Sequence, residues 1–333
     1  SDSNDATLYI ATTANSGEHS LSAAGGAATK YSGGIRVHGN LNTSLNKLDL
    51  YNDTSTGGKP PQLNCYGNFI VNAAGGNVSG SYGYSYGMSF LMGDNGRVYL
   101  NRGIFHCTGG EAASNGYSYG IRSTYGTGYS GECFQIDGAT VTAIGGKYPS
   151  NIESTRESNG CKLSNFEITS GTLTAIGGDI TGTDSNINRN SYGLSGNGII
   201  TGGTVTATGG NTVKGWSYGI YSHSLAVSGN AKVTAESTGT SDYRKVGIYI
   251  ENTLSVSDDA EITANGGKDG GSYKSYGIWL DHEKGATYQQ SGGTVLATAY
   301  SEEVNSNNGS GIDLGSSAEI SGGTLTGKAA TTG

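Results

Sequence analysis

Gly171-Thr172-Leu173-Thr174-Ala175-Ile176-Gly177-Gly178 is the stretch on which the fold turns, because close copies flank it on both sides. Upstream stands Gly138-Ala139-Thr140-Val141-Thr142-Ala143-Ile144-Gly145-Gly146, and downstream Gly203-Thr204-Val205-Thr206-Ala207-Thr208-Gly209-Gly210. The copies lie about 32 residues apart, a period that belongs to stacked supersecondary units rather than to one globular core. Val141 and Ala143 share one side of an extended strand, and Thr140 and Thr142 the other. Because Leu173 and Val205 take the place of Val141 in the next copies, the aliphatic side is the core and threonine faces water.

Each period carries two further strand signals, typified by Gly219-Ile220-Tyr221 and Gly247-Ile248-Tyr249, and by Leu225-Ala226-Val227-Ser228 and Leu254-Ser255-Val256-Ser257. Three strands per period make a triangular coil. The expected fold is all-β, a right-handed parallel β-helix in which every strand hydrogen-bonds its equivalents about 4.8 Å above and below. One internal column is expected to hold Val141, Leu173, Val205, Val233, Ile262, Val295 and Leu325. Residues 1–62 read as N-terminal coils or a cap, and residues 63–333 as regular coils cut short at the C-terminus. The last copy, Ser321-Gly322-Gly323-Thr324-Leu325-Thr326-Gly327, runs almost to the end, so the chain reads as part of a longer protein.

The 333 residues include 59 glycines and only 3 prolines, and the Gly-Gly pairs are expected to close each strand with positive φ at the corners. Of the four cysteines, Cys107 falls where other copies have Ala143, Ala175 and Ala207, and Cys161 falls at the place of Ile220. Both are expected to be buried thiols rather than disulfides, though an extracellular location would permit a bridge, and none of the four shows the CxxC spacing of a metal site. The formal charge of −8, with 19 Lys+Arg scattered singly, removes the basic footprint that nucleic-acid binding requires. No apolar run approaches the roughly 20 residues of a membrane helix, so no membrane insertion is expected.

Two sets of aromatic residues are candidates for function. The Ser-Tyr-Gly tag places Tyr86, Tyr119, Tyr192, Tyr218 and Tyr276 at one point of successive coils, with Tyr84, Tyr117 and Trp216 two residues earlier. Tyr218 and Ile220 have the same parity, so these tyrosines are expected to lean toward the core. Tyr221, Tyr249 and Trp279 have the opposite parity and are expected to form an exposed strip, flanked by His223, Glu251 and Asp281. Rings at about 4.8 Å steps beside hydrogen-bonding groups suit the flat faces and hydroxyls of sugars. The same arrangement also arises where aromatic neighbours merely stabilise a sheet face. The polar connections Lys147–Gly160, Asp179–Tyr192 and Lys268–Tyr276, of unequal length, are the other place where binding is expected.

Glu251 and Asp281 raise the further readings of an acid and base pair or a Ca²⁺ site. The β-helical pectin lyases and polygalacturonases carry Asn-Thr-Asp, Gly-His-Gly or Arg-Ile-Lys motifs. None occurs here, and no cofactor or specific Ca²⁺ motif is recognisable.

Ile200-Thr201-Gly202-Gly203-Thr204-Val205-Thr206-Ala207-Thr208-Gly209-Gly210 resembles the Gly-Gly-Thr-Val-Thr-Ala-Thr-Gly-Gly repeats of large surface proteins from Gram-positive gut and rumen anaerobes. The resemblance runs from about Leu63 to Gly327, and several of those proteins are labelled carbohydrate-binding β-helices. It implies an extracellular, wall- or surface-displayed location and a non-catalytic adhesin segment contacting a glycan or a host glycoprotein, mucin or extracellular matrix. A polysaccharide lyase or hydrolase and a structural stalk are the alternatives.

Overall fold

The computed structural model describes residues 9–11, 19–26, 31–38, 40–42, 47–51, 62–64, 69–78, 83–92, 97–112, 116–125, 133–148, 155–181, 189–213, 215–238, 244–267, 274–301 and 309–331. The middles of the three polar connections, and Cys65, lie outside them. The chain is a right-handed parallel β-helix; its described residues are mostly strand, with one 3₁₀ turn among them at His282–Lys284. Strands of successive coils pair in parallel on three faces, which we call the tyrosine, second and threonine faces after their contents. In one coil these are formed by Ser217–Val227, which turns a corner to supply both the tyrosine and second faces, and by Lys232–Ser237. Within residues 1–62, His19–Ala24 and Tyr31–His38 join the stack, while Tyr9–Ala11, Asn40–Asn42 and Lys47–Tyr51 form a separate three-stranded antiparallel sheet.

The aliphatic column runs in the expected register. Val141 pairs with Leu173, and the line continues through Val205, Val233, Ile262 and Val295 to Leu325. It extends upward through Phe105 and Val71. From Val71 to Val295 these side chains are buried, each contributing about 1.5–3 kcal/mol relative to exposure. The neighbouring small-residue column holds Ala73, Cys107, Ala143, Ala175, Ala207, Ala235, Ala264 and Ala297. Cys161 stacks between Ile121 and Leu194. Both thiols are free and buried, and burial raises their pKa values, Cys107 further through its neighbour Cys161.

The glycine pairs do a different job from the one expected. Gly145-Gly146, Gly177-Gly178 and Gly209-Gly210 do not take positive φ, although Gly267 of the equivalent pair Gly266-Gly267 does (φ +67°); other left-handed positions lie at the start of the strand, as at Gly171, φ +88°. The pairs are glycine because the coils approach closely there. A Cβ on Gly178 would overlap the carbonyl oxygen of Gly146 and crowd the hydroxyl of Ser158.

That hydroxyl belongs to a ladder along the tyrosine face. Ser158 donates to Gly146 O in its own coil (2.9 Å) and accepts from Gly178 N in the next (3.0 Å). Ser85, Ser118 and Ser191 repeat the arrangement with their own glycine pairs. The serines of three Ser-Tyr-Gly tags and of Ser158-Asn159-Gly160 therefore each clip two coils together at a corner, satisfying backbone groups that no strand ladder reaches. The ladder breaks at Ser217, where Ser237 replaces the first glycine of the following corner and both buried hydroxyls are left unpaired.

Candidate functional site

The tags also govern where the aromatic rings go. At Ser217-Tyr218-Gly219-Ile220 the serine and the α-carbon of Gly219 face inward, the latter against the backbone of Ala235 and Glu236. Ile220 faces inward as well, packed in the main core. Strict alternation therefore fails between Gly219 and Ile220. A side chain at Gly219 would clash, and the glycine lets the strand bend into the coil. Tyr218 consequently stands outside the core on the same side as Tyr221, contrary to the parity argument, and Tyr192 and Tyr276 do likewise.

The result is a second apolar layer on the outside of the tyrosine face. Tyr192, Tyr218, Val246, Tyr249, Tyr276 and Trp279 form it, with Trp216 and Tyr221 partly buried against it. Tyr192 stacks on Tyr218 (centroids 5.2 Å apart), Tyr221 on Tyr249 (5.1 Å) and Tyr276 on Trp279 (5.1 Å). Edge contacts of 5.6 Å between Tyr218 and Tyr221 and of 4.8 Å between Tyr249 and Trp279 tie the stacks together.

The expected exposed strip is thus only partly exposed. Tyr221 is half-buried, whereas Tyr249 and Trp279 retain 4% and 7% of their surface. They point away from the core, as alternation required, but the neighbouring tag tyrosines close over them. Of the flanking residues His223 is exposed, Glu251 is half-buried and Asp281 is 8% exposed.

The polar groups are fully engaged. Tyr221 donates its hydroxyl to Glu251 Oε1 and Tyr249 donates to Asp281 Oδ2, both at 2.6 Å. Each tyrosine reaches the carboxylate two residues beyond its partner in the next coil, the diagonal step of a sheet. Glu251 also receives Lys284 Nζ and lies 3.6 Å from His223 Nδ1. Asp281 caps the 3₁₀ turn by accepting from Glu283 N at 3.0 Å. Burial alone would raise the Glu251 pKa, but the hydrogen bonds from Lys284 and Tyr221 outweigh it and hold the carboxyl below its ordinary range. Burial, and then donation to the carboxylates, pushes the Tyr221 and Tyr249 hydroxyls well up. The local signal for these pairs was present in the sequence as a carboxylate two residues after the outward ring of the next coil, Glu251 after Tyr249 and Asp281 after Trp279.

Arg244 completes the layer. Its guanidinium lies 5.1 Å from the ring centre of Trp216 and 4.5 Å from that of Trp279. Among the described residues no group of three or more His, Cys, Asp or Glu side chains is placed to hold a metal ion. No helix among them is long and apolar enough to cross a membrane.

The second face carries a shallow depression of about 430 Å³, lined by Phe166, Gly198, Ile199, Asn165, Asn197 and Ser224 among others. Comparison of the chain with protein-family models, with curated proteins and with solved structures finds no match.

Proposed function

We propose that the chain is a non-catalytic binding segment of an extracellular rod, displayed on a bacterial wall or surface, that contacts a glycan or a host glycoprotein through its tyrosine face. The observation that carries this reading is the gathering of both tryptophans of the chain, half-buried Tyr221, and the polar side chains of His223, Glu251 and Lys284 on one side of the rod. Partly exposed aromatic rings beside oriented hydrogen-bonding groups are what sugar faces and hydroxyls require. The repeat resemblance to carbohydrate-binding surface proteins supports the same reading.

The engagement of the carboxylates favours binding over hydrolysis. A glycosidase needs one carboxyl protonated and another available as base or nucleophile. Glu251 is held ionised by Lys284 and Tyr221, and Asp281 is occupied by Tyr249 and the 3₁₀ turn.

A structural stalk is the second reading, favoured by the burial of Tyr249 and Trp279. A glycan and matrix-glycoprotein array separates the two. The binding reading expects retention of a definite glycan class that is lost in a folded Tyr221→Ala/His223→Ala variant. Absence of retention on mucin, matrix proteins and glycans alike supports the stalk.

A further inference from the structure

We propose that Arg244 and Lys274 form an anion-recognition point at the edge of the aromatic layer, so that the ligand is an acidic glycan bearing a carboxylate or a sulfate. This rests on the reading of the tyrosine face as a glycan-binding surface and narrows it to a chemical class.

Trp216, Arg244 and Lys274 occupy one position in three successive coils, each immediately before the tag serine or its replacement Lys245. Backbone hydrogen bonds fix the steps: Ser217 N donates to Arg244 O (3.2 Å), and Lys245 N donates to Lys274 O (3.3 Å). Two cations therefore stand one coil apart, beside a half-buried indole, on a chain whose formal charge is −8.

Among the described residues the guanidinium of Arg244 makes ring contacts only. It lies over the Trp216 and Trp279 rings, which are themselves in contact, and no carboxylate or carbonyl takes its N–H groups. Lys274 is exposed and likewise has no acidic partner among them. The nearby carboxylates are committed elsewhere: Glu251 to Lys284 and Tyr221, Asp281 to Tyr249 and Glu283 N, and Asp313 to Gly315 N. Arg122 lies against tyrosine rings instead, over Tyr84 and Tyr119, away from this edge.

An arginine laid over a pair of touching indoles is oriented, so less of its side-chain entropy remains to be lost on binding. Its fork of donors matches the two oxygens of a carboxylate or sulfate. Val246 occupies the tag position of this coil where its neighbours have Tyr218 and Tyr276, which leaves room for Trp279 to lean across to Arg244. Lys274 supplies a second positive point one strand spacing away, about 4.8 Å along the rod. The partly exposed Trp216 offers the apolar surface on which the sugar ring rests.

The test is calorimetric titration with oligogalacturonides, which carry carboxylates, heparin-derived oligosaccharides, which carry sulfates, and neutral galactan oligosaccharides. Wild type is expected to bind at least one acidic ligand and to bind the neutral one at least about tenfold more weakly, with affinity falling as salt rises. Arg244→Gln is expected to lose about tenfold or more, and Arg244→Lys to fall between, because the charge remains while the planar fork is lost. Lys274→Gln, which touches no ring, is expected to weaken binding a few-fold while near-ultraviolet circular dichroism stays unchanged. Lys232→Gln, on the threonine face, is the control and is expected to match wild type. Response to one acidic ligand alone assigns uronate or sulfate. Acidic-sugar binding undiminished in both Arg244→Gln and Lys274→Gln overturns the proposal, as does equal or preferred binding of the neutral sugar. In that last case the face remains a glycan-binding surface. Binding of none of the three overturns this proposal, and the broader array then decides the general reading.

Discussion

The hydroxyl of Tyr249 donates to Asp281 Oδ2 at 2.6 Å across the step from one coil to the next, and the other oxygen of the same carboxylate caps the turn at His282–Lys284. One buried charge thereby links an aromatic ring, a strand and a turn. Tyr249→Phe removes the donor and leaves the carboxylate short of a partner in a largely desolvated position, which costs about 1.5–3 kcal/mol. Tyr221→Phe, at a more exposed pair, is expected to cost less. Urea denaturation of the two variants side by side gives the comparison.

The pairing at Glu251 makes stability depend on pH. Its native pKa is depressed, so the stabilisation is present above the ordinary glutamate value of about 4.3 and is lost as pH falls through the lower native value. Wild type is expected to be more stable than Glu251→Gln at neutral pH, with the difference closing below about pH 4. Thermal melts from neutral to acid pH check this; a difference that does not shrink on acidification contradicts it.

The serine clip predicts an asymmetry between two small substitutions. Ser158→Ala leaves Gly146 O and Gly178 N without their partner and costs about 1–3 kcal/mol. Gly178→Ala drives a methyl group onto the Gly146 carbonyl oxygen and the Ser158 hydroxyl, displacing the clip and clashing as well, and is expected to be the more damaging. Equilibrium unfolding of each, followed by circular dichroism, distinguishes them.

Alternation on the threonine strand gives the sharpest contrast. Val205→Asp buries an unpaired charge in the continuous column and is expected to cost several kcal/mol or prevent folding. Thr206→Asp, one residue on and facing outward, is expected to stay within about 1 kcal/mol of wild type. Soluble yield and melting temperature of the pair report the outcome.

The threonine strand was readable because Val205 and Ala207 alternate with Thr204 and Thr206 without interruption, and the inward aliphatic–alanine pair recurs at Val141/Ala143, Leu173/Ala175, Val233/Ala235 and Ile262/Ala264. The tyrosine face was only half readable for two physical reasons. Period-two parity assumes a straight strand, and Gly219 breaks it by packing its α-carbon against Ala235 and Glu236, which throws Tyr218 outward beside Tyr221. Burial of Tyr249 and Trp279 depends on rings from neighbouring coils closing over them, a relationship set by side-chain reach rather than by any one segment. The role of the clipping serines was likewise hidden, because Ser118 and Ser191 bond glycines 8 and 13 residues before them and 28 and 19 after them.

The two tryptophans, both on the tyrosine face, allow the central claim to be tested directly. Indole N–H signals in a ¹H–¹⁵N spectrum number two, and a Trp216→Phe variant assigns them. Titrated with a glycan or glycoprotein fragment retained on the array, the Trp216 indole signal is expected to shift in proportion to occupancy, with a smaller response from Trp279. Saturable binding that moves neither indole signal would place the ligand elsewhere on the rod and contradict the assignment of the tyrosine face.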